Sequence, residues 1–235
     1  MSEPADGPEP LPSPEIPPEA APDDRRLRLF ELALVVGVSF LAPTVIALYR
    51  WWWPYERTTP EALREFLAIV DCTIGLSVLA YVLYCQGRRF WDLGLTFRVS
   101  DVGLGLAVAL LSRVMSFAVV SVILAFSTDL PKSPFNLQHH TGWLAWLAVV
   151  PNAALEELIV RAYLMTEVAE LTGSMAIAVF ASVGFQFLYH LYLGLPAALV
   201  ASGSFFVAAL FYASTRRVTP LILAHSLHNF WVLAG

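Results

Sequence analysis

Seven mostly apolar runs, near residues 30–49, 66–85, 102–126, 142–163, 174–193, 196–214 and 218–234, have close to the length that a hydrocarbon layer demands of a helix. A bilayer core takes about twenty apolar residues per crossing, and every backbone N–H and C=O in lipid must be satisfied within the segment. The sequence therefore predicts an all-α fold: a polytopic membrane helix bundle of about seven transmembrane helices. Composition agrees, because the chain is 57% hydrophobic and 14% charged, against roughly 25% charged in ordinary soluble domains.

The formal net charge of -5 is unevenly placed. Residues 1–26 hold seven acids and two arginines, which leaves twelve acids and twelve bases for the rest. Eight of the sixteen prolines also fall in residues 1–24, among Glu and Asp and without a signal-peptide apolar run. This composition predicts a disordered, acidic, Pro-rich tail over residues 1–26, followed by one membrane domain over 27–235. A neutral body without a basic stripe or a phosphate-binding Gly loop leaves no footprint for nucleic acid. Cys72 and Cys85 stand thirteen apart in one apolar run, too far for a CxxC pair, and read as packing residues.

Alternating the loops between the two sides puts nine basic residues, including Arg25, Arg26, Arg28, Arg88, Arg216 and Arg217, on the side of the N-terminus. Four lie opposite, and Arg113 falls inside a span. The bias predicts a cytoplasmic N-terminus. Arg50-Trp51-Trp52-Trp53 and the Trp143, Trp146 pair form interfacial aromatic belts on the other face. Thirteen arginines against the single Lys132 point to a high-GC bacterial genome, hence to a bacterial inner membrane.

Ionisable residues are costly at membrane depth, so each is a candidate for function. They gather late in the chain: Glu156, Glu157 and Arg161, then His190, then His225, His228 and Asn229. Adjacent residues on a helix point about 100° apart, which gives the two glutamates different neighbours. Glu157 and Arg161, spaced i,i+4, form a plausible ion pair, and Glu156 is left free. His225 and Asn229 share the same spacing and could jointly hold an oxyanion, or could simply join helices by hydrogen bonding.

Helix register tests whether these groups meet. With a turn at Leu171-Thr172-Gly173-Ser174, Glu156 and His190 lie fifteen and sixteen residues from it, or roughly 22 to 24 Å. His225, eight residues past Arg217, comes to a similar depth of roughly 12 Å from the membrane face, if the turn protrudes with Glu167 and Glu170. Two mechanisms fit this set. Glu156 with His190 could deprotonate a water while His225 and Asn229 hold the oxyanion. Alternatively Glu156, His190 and His225 could ligate zinc, although no HExxH is present.

At these residues the chain resembles the CPBP family of intramembrane endopeptidases, the CAAX-protease and bacteriocin-processing or Abi proteins. The resemblance covers about residues 90–234. It rests on EExxxR at Glu156, Glu157 and Arg161, on His190 followed by Leu-Tyr-x-Gly, and on HxxxN at His225 and Asn229. It implies that Glu156 and His190 activate water, that His225 and Asn229 form the oxyanion site, and that Glu157 and Arg161 support both. One departure stands out. The family usually has Phe four residues before the second-motif histidine, whereas this chain has Gln186 between Phe185 and Phe187.

The leading expectation is thus an intramembrane protease that hydrolyses a peptide bond in a membrane-associated protein or peptide, with no cofactor required and zinc as the metal option. The alternatives are a non-catalytic membrane partner, such as a bacteriocin-immunity or scaffold protein, and a proton-coupled transporter. Asp71 and Arg113 read as structurally neutralised, His139 and His140 as solvated loop residues, and Tyr189 and Tyr192 as interfacial packing more than as substrate contacts.

Overall fold

The computed structural model of the chain describes residues 22–53, 60–126 and 142–234. The expected disordered tail lies mostly outside these residues, as do His139 and His140, and the first helix begins at Pro22. Eight α-helices follow: α1 Pro22–Trp52, α2 Glu61–Cys85, α3 Ser100–Phe126, α4 Trp143–Glu156, α5 Leu164–Thr172, α6 Met175–His190, α7 Leu195–Thr215 and α8 Thr219–Ala234. A π-helical segment, Glu157–Tyr163, joins α4 to α5, so that Trp143–Thr172 is one long helical element. Among the described residues there is no strand.

Six elements are long and apolar enough to cross a membrane; α8, at 16 residues, falls short of that length. The chain is a multi-pass helical membrane protein, and the seven apolar runs correspond to its seven helical elements, α4 and α5 counting as one. The long element reaches nine residues past the expected end of the apolar run near residue 163, to Thr172, where Gly173 adopts φ +69 and Ser174 caps α6 by accepting from Ile177 N at 3.3 Å. The hairpin is thus where the turn chemistry put it.

Packing follows small residues and a few polar anchors. α1 lies against α2 and α6, α2 against α4, α4 against α8, and α3 against α7 and α8. At one end of the bundle, ion pairs and hydrogen bonds tie the helices together. Arg28 pairs with Glu170, Arg88 with Glu167 at 2.5 Å, and Arg217 with Asp101, and Arg216 donates to Thr166 at 3.0 Å. Glu167, expected on a protruding turn, is fully buried there because Arg88 folds over it. Gly94 is obligatory at this end: it has φ +86, and a Cβ would run into the Arg216 carbonyl, while its own carbonyl accepts from Val218 N at 3.2 Å. The exposed Trp52, Trp53 and Trp143 mark the opposite end, as expected of an aromatic belt.

The best-packed part of the bundle is the π segment. Ile159, Val160, Ala162 and Tyr163 have no exposed surface, and Arg161 is 1% exposed. The most apolar surroundings thus enclose the most polar motif.

Candidate active site

A π turn is closed by i→i+5 hydrogen bonds, such as Leu164 N to Ile159 O, and such turns recur at functional sites. Here the turn begins between the two glutamates, which point at different helices. Glu156 faces α6. Its Oε2 accepts from Tyr189 Oη at 2.7 Å and Gln186 Nε2 at 3.0 Å, and its Oε1 from Asn152 Nδ2 at 3.1 Å. Glu157 faces α8, where its Oε1 lies 2.9 Å from His225 Nδ1.

These contacts correct one expectation and qualify another. Glu156 is not free, because three donors hold it. The Glu157–Arg161 pair is loose, with Nε and Oε2 3.8 Å apart and neither atom in a hydrogen bond. Arg161 donates more closely to Ser182 Oγ at 2.9 Å and to Gln186 Oε1, and the Ser182 hydroxyl in turn donates to the Val160 carbonyl at 2.8 Å. The guanidinium is a buried clamp between α6 and the π segment.

Gln186 is the hinge of the arrangement. It is 1% exposed, accepts from Arg161, donates to Glu156, and offers its backbone carbonyl to His190 Nδ1 at 2.9 Å. The residue that departs from the family pattern therefore links three of the motif residues. No direct hydrogen bond joins Glu156 to His190; Gln186 connects them. The aromatic wall persists in shifted register: Phe185 packs edge-on against Phe40 and Tyr189, with centroids 5.6 Å from each, and Phe40 stacks on Tyr189 at 5.0 Å. His190 rests between Tyr189 at 4.5 Å and Phe205 at 4.7 Å.

Partner chemistry assigns the protons. A carbonyl only accepts, so His190 carries its proton on Nδ1 and presents a lone pair at Nε2. A carboxylate has about four acceptor positions, and Glu156 uses three, which leaves one, on Oε1. His225 has Nδ1 committed to Glu157 and Nε2 unengaged, and both His190 and His225 lie within Coulombic reach of Glu156. Asn229, one turn further along α8 and half-buried, makes no side-chain hydrogen bond among the described residues.

Committing Nδ1 to an acceptor is also how metal-binding histidines are oriented. The donor set does not complete a zinc site, however. Among the described residues no three His, Cys, Asp or Glu side chains are gathered closely enough to share an ion. Glu156, His190 and His225 therefore do not fit zinc in this arrangement.

Sequence reasoning overlooks Asn152 and Ser182, sees Gln186 only as a departure from the family pattern, and favours interfacial packing for Tyr189. Their signal was the i−4 spacing, since Asn152 precedes Glu156 and Gln186 precedes His190 by one turn on the same face. Asp71 and Arg113 do not pair with each other, and both are exposed.

The molecule is a multi-pass helical membrane protein in which a buried carboxylate, Glu156, is held by α6, and its neighbour Glu157 meets an imidazole of α8. Residues 138–231 match the family model Rce1-like, described as type II CAAX prenyl endopeptidase Rce1-like, in keeping with the CPBP resemblance. Every candidate site residue falls inside the matched segment, and helices α1 to α3 fall outside it. At family level the match supports an intramembrane endopeptidase that acts on membrane-associated substrates. No curated protein and no solved structure matches the chain.

Proposed function

We propose that the chain hydrolyses a peptide bond in a membrane-associated protein or peptide, with water activated by Glu156 and His190. The supporting observation is the state of Glu156. Three protein donors fix it, one acceptor position remains, and an imidazole linked to it through Gln186 has a bare Nε2. A water bridging these two acceptors attacks the peptide carbonyl carbon and gives up a proton to Glu156. The electron pair of the C=O bond moves to oxygen. His225 and Asn229 hold that oxyanion, with Glu157 supplying the negative charge that an imidazolium at His225 needs to keep a proton on Nε2. Collapse breaks the C–N bond, and the amine leaves with the proton that Glu156 received. Arg161 works through Gln186 and Ser182, as a positioning residue.

No step in this mechanism calls on a metal. The membrane is a bacterial inner membrane, with the basic end of the bundle and the N-terminus in the cytoplasm. In a bacterial membrane the substrate is a membrane-associated peptide, such as a bacteriocin-like precursor or an anchored tail, more than a prenylated protein. Comparative profiling of membrane-protein termini in wild-type and Glu156→Gln cells tests the reading. At least one terminus should be present in the wild type and missing from the variant, and identical profiles would sink the proposal.

A further inference from the structure

Arg113 has no role in the site as described, yet it sits where a charge is hardest to keep. It lies thirteen residues into the 27-residue helix α3, roughly 20 Å from Ser100 and near mid-span, and is exposed. It makes no hydrogen bond or ion pair among the described residues. Bare cations at that depth are costly and normally pair or face a polar cavity.

Packing between α3 and α8 shows which polar groups are near. Gly105 abuts α8 so closely that a Cβ there would stand 3.0 Å from Leu223 Cβ and 3.1 Å from the Pro220 carbonyl. α3 and α8 leave the basic end side by side, tied by Arg217 to Asp101 and by Thr219 to the Thr96 carbonyl at 2.9 Å. Eight residues beyond Gly105 comes Arg113, and five beyond Leu223 comes His228, so their heights differ by about 4.5 Å. Met115 meets Gly203 of α7 on the other flank, which turns Arg113 to the α8 side. His228 lies within Coulombic reach of Arg113 and also of His225, His190 and Glu156.

From this geometry we infer that Arg113, flanked by His228, is an anion-recognition position at the border of the site, and that its ligand is a carboxylate of the peptide entering that site. A lipid phosphate does not reach mid-span, whereas a membrane-anchored peptide engaged at the site would cross this height. The carboxylate is either the C-terminus of the peptide or an acidic side chain. This inference rests on the endopeptidase reading for its ligand, but its test is binding, which needs no turnover.

The experiment uses the full chain in phosphatidylcholine nanodiscs and a fluorescein-labelled apolar pentapeptide in three forms: free carboxylate, C-terminal amide, and amide with one internal Glu. Anisotropy should show that wild-type protein binds a carboxylate form at least ~10-fold more tightly than the plain amide, the size expected for one charge-assisted bond. Arg113→Gln should abolish that preference without changing amide affinity, and Arg113→Lys should restore part of it. Which carboxylate form is preferred identifies the source. Gln removes an exposed charge from lipid depth, so the variant should melt no lower than wild type. Equal affinity for all three forms, or a preference that survives in Arg113→Gln, overturns the inference. If wild type and Glu156→Gln process membrane proteins identically while the binding preference is present, the hydrolytic reading fails and the recognition site stands.

Discussion

Tyr189 and Gln186 make the clearest case that polar groups inside an apolar bundle have specific tasks. Both donate to one oxygen of Glu156, at 2.7 and 3.0 Å, from positions three apart on α6. Tyr189→Phe removes one donor and little volume. A hydrogen bond to a charged group contributes about 1.5–3 kcal/mol, so turnover should fall ~10- to 100-fold while the protein still folds, as measured by kcat and a detergent melting curve. Gln186→Phe, which restores the residue usual in the family, should be worse here, because it unlinks Arg161, Glu156 and His190 together. Arg161→Ala leaves Glu157 and Gln186 buried without their cation and should cost about 3 kcal/mol, visible as lower thermal stability and lower protein level. Unchanged melting of Arg161→Ala would remove its role as a clamp.

At the scale of the elements, the π segment turns an ordinary span into a site. It lets consecutive glutamates address α6 and α8 separately, and it packs Arg161 against Ser182. Deleting Ala162, one residue of this segment, should restore i→i+4 bonding and rotate the motif against α6 and α8. Helical content by circular dichroism should stay constant while activity disappears. Retained activity would make the π turn incidental. The apolar runs, the turn at Gly173 and the depth match of Glu156 with His190 were all legible from periodicity, turn chemistry and the rise per residue. The π turn was not, since it depends on how neighbouring helices satisfy the backbone and leaves no mark in hydropathy. Reading the segment as a regular helix gives Glu157 its pair with Arg161 but misses His225, its closer partner. Gln186 was noticed only as a mismatch, because its partners come from another helix and sequence spacing carries no information about them.

For the whole molecule, the basic end and the aromatic end give the bundle a direction in the membrane. Arg28, Arg88, Arg216 and Arg217 are tied to Glu170, Glu167, Thr166 and Asp101, which also ties α1, the α2–α3 connection, α5 and the α7–α8 connection at that end. Cys85, free and exposed at the close of α2, reports on this end, whereas Cys72 is buried. A membrane-impermeant maleimide should label Cys85 in inside-out vesicles and not in intact spheroplasts; the reverse pattern would invert the topology. A chain starting at Pro22 keeps all of α1 and should insert and cleave as the full chain does. Loss of cleavage in a correctly inserted truncation would assign substrate recruitment to residues 1–21.

Oxygen-18 incorporation tests the chemistry most directly. Purified protein in lipid nanodiscs, given a peptide spanning a terminus that the cellular comparison has identified, is incubated in H218O, and the new C-terminus is weighed by mass spectrometry. Wild-type protein should place the label in the new carboxylate, and Glu156→Gln should form no product above background. Equal labelling by the variant, or a wild-type product whose new terminus carries no label, would contradict hydrolysis by a Glu156-activated water.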